Sequence, residues 1–238
     1  MKSGRYRLRR IIGGLIALSL LAAWIIINPA SYQPEPSSAT AEPTALNTPG
    51  KTLAADVLET LPIKGRAPKT GYQRTEFYTT WPSIDGCNLR QRIIKREVGD
   101  SAKLDGCDVI AGTFVEPYTG ETKTFTTKAE FSKNIQIDHI VALSDAWQKG
   151  AQQLSSEQRY ALATDPLNLI AADASANQQK SDGDAATWLP KNKAFRCQYV
   201  ARQVSVKSKY SLWVTQAEHD AIKNILSACP SEPAIGLD

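Results

Sequence analysis

Ile135-Gln136-Ile137-Asp138-His139-Ile140-Val141, Asp165-Pro166-Leu167-Asn168-Leu169-Ile170-Ala171 and Asn177-Gln178-Gln179-Lys180 are the three stretches whose reading decides the fold. The first, and the second after its Asp-Pro turn, are short runs rich in Ile, Val and Leu, which predicts strands over 135–141 and 167–171. A helix is expected from about residue 175, which sets Asn177 and Lys180 one turn apart on one face. A strand carrying Asp138-His139, a strand led by Asn168 and a helix bearing Asn177 make a ββα unit in which polar side chains converge.

Outward from that unit, the runs 109–115 and 122–127 are β-branched and aromatic, and Pro117-Tyr118-Thr119-Gly120 supplies turn chemistry between them, predicting a hairpin. A helix over 89–98 follows the turn-rich Ser83-Ile84-Asp85-Gly86-Cys87-Asn88, and further helices are expected over 144–151, 156–163, 191–208 and 215–227. Thr215-Gln216-Ala217-Glu218 fits a capping box, in which hydroxyl and carboxylate each satisfy an amide at the helix start. Leu53, Val57, Leu58 and Leu61 recur at helical spacing ahead of Pro62, giving a short amphipathic helix.

The chain has 238 residues, 42% of them hydrophobic, enough for one packed domain plus accessory segments. Residues 11–27 form an uncharged apolar run after the basic cluster Lys2, Arg5, Arg7, Arg9 and Arg10, the pattern of an export signal or an N-terminal membrane anchor. Both place the rest outside the cytoplasm, anchored to the membrane through this segment or secreted. Residues 31–50 have the Pro, Ser, Thr and Ala composition of a solvated linker. The expected layout is therefore 1–30 signal or anchor, 31–50 linker, 51–80 N-terminal helix and connector, and 81–238 working domain.

The net charge of +4 is carried by the export segment: without its five basic residues and the linker acids Glu35 and Glu42, 23 basic residues face 22 acidic ones. A phosphate-binding surface would have to be local. The four cysteines, Cys87, Cys107, Cys197 and Cys229, all follow the apolar run, which favours disulfides. Three pairings are possible, and proximity favours Cys87 with Cys107 and Cys197 with Cys229. With no Cys-x-x-Cys pair and two histidines, a structural zinc site is not expected.

The residue types in the ββα unit suit phosphodiester hydrolysis, which needs an activated water and relief of charge on the phosphate oxygens. A neutral imidazole can take the water's proton, making His139 the candidate general base. Asp138 and the side-chain oxygen of Asn177 are hard donors suited to a divalent metal, Mg²⁺ or Mn²⁺. Two protein ligands alone would hold it weakly. Lys180, on the face of Asn177, is a candidate for a phosphate or the developing charge. Alone, Asp138-His139 reads as an ordinary strand end; the two Asn segments at matching spacing make the catalytic reading the better one. Asp182 and Asp184 read as an acidic turn around Gly183 rather than extra ligands, His219 as structural, and Trp147, Trp188 and Trp213 as core rather than base-stacking groups.

The three segments resemble the HNH endonucleases. The closer resemblance is to secreted HNH-family proteins related to the C-terminal domain of the GmrSD restriction endonucleases. It rests on Trp81-Pro82 with Asp85-Gly86-Cys87, on residues 138–147 beginning Asp138-His139-Ile140-Val141, on Asp165-Pro166-Leu167-Asn168-Leu169, and on residues 183–190 ending Trp188-Leu189-Pro190. It spans about 81–229. It implies an α+β fold, an HNH ββα-metal core with an additional N-terminal β-hairpin and C-terminal helices. It implies a metal-dependent endonuclease acting on DNA, with RNA as a further substrate, leaving a 5′-phosphate and a 3′-hydroxyl. By resemblance Asn168 ties the loop and orients the base, and Arg90 matches an arginine that is a second candidate phosphate ligand. The alternative is a non-catalytic cell-surface module binding nucleic acid or envelope. No protein partner is expected.

Overall fold

The computed structural model describes residues 52–236. Residues 11–27 and the linker 31–50, on which the expectations of export, anchoring and a spacer rest, lie outside these. Among the described residues no helix is long and apolar enough to cross a membrane.

The described chain is mixed α+β, with small antiparallel sheets of two, three and two strands set among helices. In chain order the helices are α1 (Ala54–Thr60), α2 (Leu89–Val98), α3 (Lys128–Asn134), α4 (Leu143–Gln148), α5 (Ser156–Thr164), α6 (Ala174–Lys180), α7 (Arg196–Lys209) and α8 (Gln216–Leu226). The strands are β1 (Ser83–Ile84), β2 (Cys87–Asn88), β3 (Lys103–Asp105), β4 (Asp108–Val115), β5 (Thr122–Phe125), β6 (Ile135–His139) and β7 (Leu169–Asp173).

The pair β6 and β7 carries Asp138 and His139. It is antiparallel, with Asp138 opposite Ile170 and His139 opposite Leu169. Successive side chains of a strand point to opposite faces, and here both faces are covered. Ile170 and Ala172 enter a cluster with Tyr199, Val200 and Val204 of α7. Leu169 packs with Leu89 and Ile93 of α2, and Ala171 with Ile94 and Val98. Two covered faces explain why residues 169–172 are continuously apolar. The helix α6 follows β7 directly, its start capped by Asp173, whose carboxylate accepts from the amides of Ser175 and Ala176.

Several expected boundaries move for local reasons. The second strand begins at Leu169 rather than 167, because residues 165–168 close a turn: the Asp165 carboxylate accepts from the Leu167 amide and its carbonyl from that of Asn168. The strand β6 ends at His139 rather than 141, because the Val141 amide is captured by the Asn168 side chain. The hairpin β4 and β5 forms as expected, and Gly120 closes its turn at φ +78°. Besides the two-residue pair β1 and β2, formed where a turn was expected, two elements were not anticipated. The strand β3 pairs with β4, and α3, capped by Thr127, buries a single large apolar residue, Phe131.

Residues 52–80 contain the short helix α1 and lie against the C-terminal helices. Ala54, Val57, Leu58 and Leu61 lie in the core of α7 and α8, and Leu53 and Ile63 form bridges to Pro233 and Val214. From there the chain runs as a strap held by its backbone: Lys64 and Ala67 donate to the carbonyls of Val214 and Gln148, and the indoles of Trp213 and Trp147 donate to those of Gly65 and Thr70. Cys87 is bonded to Cys107 and Cys197 to Cys229, so one bridge joins β2 to the turn before β4 and the other joins the start of α7 to the chain after α8.

Candidate active site

The end of β6, the start of α4 and the helix α6 enclose a cleft of about 320 Å³, closed on its other side by the strap. Its walls include Asp138, His139 and Asn177, together with Lys69, Tyr72, Arg74 and Asp182.

His139 is 3% exposed. Its Nε2 lies 2.9 Å from the Ala163 carbonyl oxygen, which can only accept, so Nε2 carries the proton and Nδ1 holds the lone pair. The Trp81 ring lies nearly parallel to the imidazole, with 10° between the planes, and Tyr78 packs against it at a tilt. Burial, and then the positive charge of Arg74, lower the pKa of His139 to about 4. The ring is therefore a neutral, oriented acceptor at neutral pH.

Asp138 is held from two sides. The Tyr118 hydroxyl donates to Oδ2 at 2.5 Å, and Lys180 Nζ lies 2.9 Å from Oδ2 and 3.2 Å from Oδ1. Tyr118 is wholly buried against Trp188, Phe195 and Tyr199, and burial followed by the Asp138 charge keeps its hydroxyl protonated. It reaches Asp138 because Glu116, also buried, fixes the hairpin turn. That carboxylate accepts from the amides of Tyr118, Thr119 and Asp173, joining the turn to the end of β7.

Lys180, which helical spacing places on the face of Asn177, is not among the residues lining the cleft. It is 1% exposed, and besides Asp138 it donates to the His139 carbonyl at 2.8 Å, so it underlies the strand end from inside. Asn168 is fully buried: Oδ1 accepts from the Val141 amide at 2.8 Å and Nδ2 donates to the Leu162 carbonyl at 3.2 Å. Its own carbonyl accepts from Ile140. These bonds close the long loop between the two strands beside His139. Asn177 donates through Nδ2 to Gln136 Oε1 at 2.8 Å, which fixes the orientation of its amide at the cleft. Arg90 is half-buried in the first turn of α2 and is not among the residues lining the cleft; burial lowers its pKa.

The acidic turn separates into two roles. Asp182 sits at the rim, 3.1 Å from Lys69 and bonded to the Ser144 hydroxyl. Asp184 is buried and paired with Lys149 at 2.7 Å and Arg66 at 2.8 Å. Asp145 and Glu218 join the same cluster, with Lys207 supplying a third cation. His219 lies outside the cleft, 3.8 Å from Glu59, and Trp147, Trp188 and Trp213 pack in or against the core. Lys69, Tyr72, Arg74, Tyr118 and Glu116 are absent from the sequence reading of the site. They sit on the strap and the hairpin turn, far in sequence from Asp138, and the pattern of the strap carries no periodic signal to tie it to the site.

The model of the C-terminal domain of GmrSD restriction endonucleases matches residues 94–225. The chain belongs to that family. A relative described as an uncharacterized secreted protein, from Arthroderma benhamiae, is 35% identical over 191 residues, covering 79% of this chain and 90% of its own. No solved structure matches. Within this GmrSD C-terminal-domain chain, β6, β7 and α6 fall inside the matched residues, whereas Lys69, Arg74, Tyr78 and Trp81 precede them.

Proposed function

We propose that this chain is an extracytoplasmic, metal-dependent endonuclease of the HNH type that hydrolyses phosphodiester bonds of DNA, with RNA as a second substrate. The observation that carries the reading is the convergence in one cleft of the buried, tautomer-fixed His139 with Asp138 and Asn177. The order β6, β7, α6 supports an HNH ββα core around them. Family membership supports nuclease chemistry, and two disulfides with a relative described as secreted support the compartment.

The donor chemistry fits a divalent cation. Asp138 and Asn177 offer hard oxygens to Mg²⁺ or Mn²⁺, ions that keep several waters and accept phosphate oxygens. Among the described residues no group of three His, Cys, Asp or Glu could enclose a metal, so such an ion would depend on water and substrate for most of its shell. When bound, the ion would supply charge relief on the phosphate and leaving oxygens. The other work falls to the protein. His139 Nδ1 accepts a proton from the attacking water while the Ala163 carbonyl holds the opposite nitrogen. Lys180 and Tyr118 fix Asp138, and Asn168 holds the loop that follows His139.

The purified full chain should nick supercoiled plasmid in Mg²⁺ or Mn²⁺ and stop in EDTA. The second reading, a binding module without turnover, draws on the engagement of the Asp138 carboxylate by Lys180 and Tyr118. Salt-dependent DNA binding with no nicking in any divalent metal would favour it.

A further inference from the structure

Lys180 and Arg90, the cations that spacing and resemblance suggest for the phosphate, are respectively buried beneath Asp138 and placed outside the cleft. The charges that do reach the cleft pair off with one left over. Asp138 is matched by Lys180, and Lys69 by Asp182. Arg74 is exposed, lines the cleft, and among the described residues forms no ion pair. What holds it is neutral: Nη2 donates to the Tyr78 hydroxyl at 2.5 Å, and the guanidinium lies 5.2 Å from the centre of the Tyr78 ring. Tyr78 in turn packs on His139, so the guanidinium is oriented relative to the base through one intervening ring.

We propose that Arg74 is the substrate-binding cation of this site, taking a phosphodiester of the nucleic acid in the cleft beside His139. This rests on the nuclease reading above and adds that the strap, N-terminal to the residues matched by the family model, is part of the site. One uncompensated positive charge answers one phosphodiester negative charge. A planar guanidinium already aligned by a ring and a hydroxyl retains donors for two phosphate oxygens. No acidic group among the described residues pairs with it, so binding requires none of those ion pairs to break.

The test compares the full chain with Arg74→Ala and Arg74→Lys, all three checked for unchanged thermal melting. A labelled DNA duplex is titrated in EDTA over a series of salt concentrations, and plasmid nicking is followed in Mg²⁺. Arg74→Ala is expected to weaken binding and kcat/KM about tenfold or more and to reduce the salt slope by about one, the signature of one lost phosphate contact. Arg74→Lys should restore the slope but only part of kcat/KM, because an ammonium keeps the charge and loses the paired donors. A merely structural role would not move the slope. Binding and kcat/KM within twofold of wild type in Arg74→Ala, with wild type nicking normally, would overturn the assignment while leaving the nuclease reading intact. Wild type that binds through Arg74 without nicking would overturn the nuclease reading and leave Arg74 as the phosphate ligand. Wild type that neither binds nor nicks would overturn both.

Discussion

Lys180 shows what spacing can and cannot reveal about a residue. Three positions after Asn177, it lies on the same helix face, and that much is legible in the sequence. Its depth is not: the helix packs so closely on β6 that Nζ ends between the Asp138 carboxylate and the His139 carbonyl. Removing the cation from a buried pair leaves an uncompensated charge, so Lys180→Met is expected to destabilise the fold by roughly 3–5 kcal/mol. Denaturant unfolding checks this; weakened DNA binding at unchanged stability would instead return Lys180 to the phosphate. Asp138, His139, Asn168 and Asn177 are legible in the sequence because they sit in three short, separately recognisable segments, and all but Asn168 line the cleft. Arg74 and Tyr118 escape it because proximity in space came from the strap and the hairpin turn, which carry no local pattern pointing to the site.

At the scale of elements, the helices with clear punctuation are read closely: α2 falls on its expected residues and α8 carries the capping box of Thr215 and Glu218. The helix α3 is missed because seven residues with one buried aromatic show no period. Contacts between elements impose tighter limits than the pattern does. Gly112 of β4 lies where a Cβ would stand 2.4 Å from Val98 Cγ1 of α2, so the hairpin approaches the helix at a distance only glycine permits. Val98 is short, branched and buried, with little freedom to retreat. Gly112→Ala is therefore expected to cost about 1–3 kcal/mol through overpacking. A fall in melting temperature with an unchanged far-ultraviolet circular dichroism spectrum is the expected result; an unchanged melting temperature would mean that hairpin and helix separate freely.

For the whole molecule, the cluster of buried Asp145, Asp184, Glu218, Lys149 and Lys207 with the exposed Arg66 joins α4, α7, α8, the strap and the turn after α6. No periodicity announces such a cluster, because its members come from five separate stretches. It gives the fold a defined acid limit. Burial alone would raise the pKa of Asp184, but Lys149 and then Arg66 outweigh it and bring the group down from 3.8 to about 2. A depressed folded pKa means that the unfolded chain binds protons first. The stabilisation, about 2 kcal/mol, is thus complete above pH 4 and lost as pH falls towards 2. Equilibrium unfolding across that range should show the decline, and Asp184→Asn should flatten it. Equal slopes in both proteins would place the acid sensitivity elsewhere.

The same frame sets His139 and Asp138 at the end of one strand, Asn177 across the cleft and Arg74 at its edge, and the function proposed for it depends on the imidazole. The most direct measurement is plasmid nicking by the full chain and by His139→Ala, side by side in Mg²⁺, in Mn²⁺ and in EDTA. The account predicts metal-dependent nicking by wild type that falls at least a hundredfold in the variant, the scale of a lost general base. Equal nicking by the two proteins, with contaminating nuclease excluded, would contradict it.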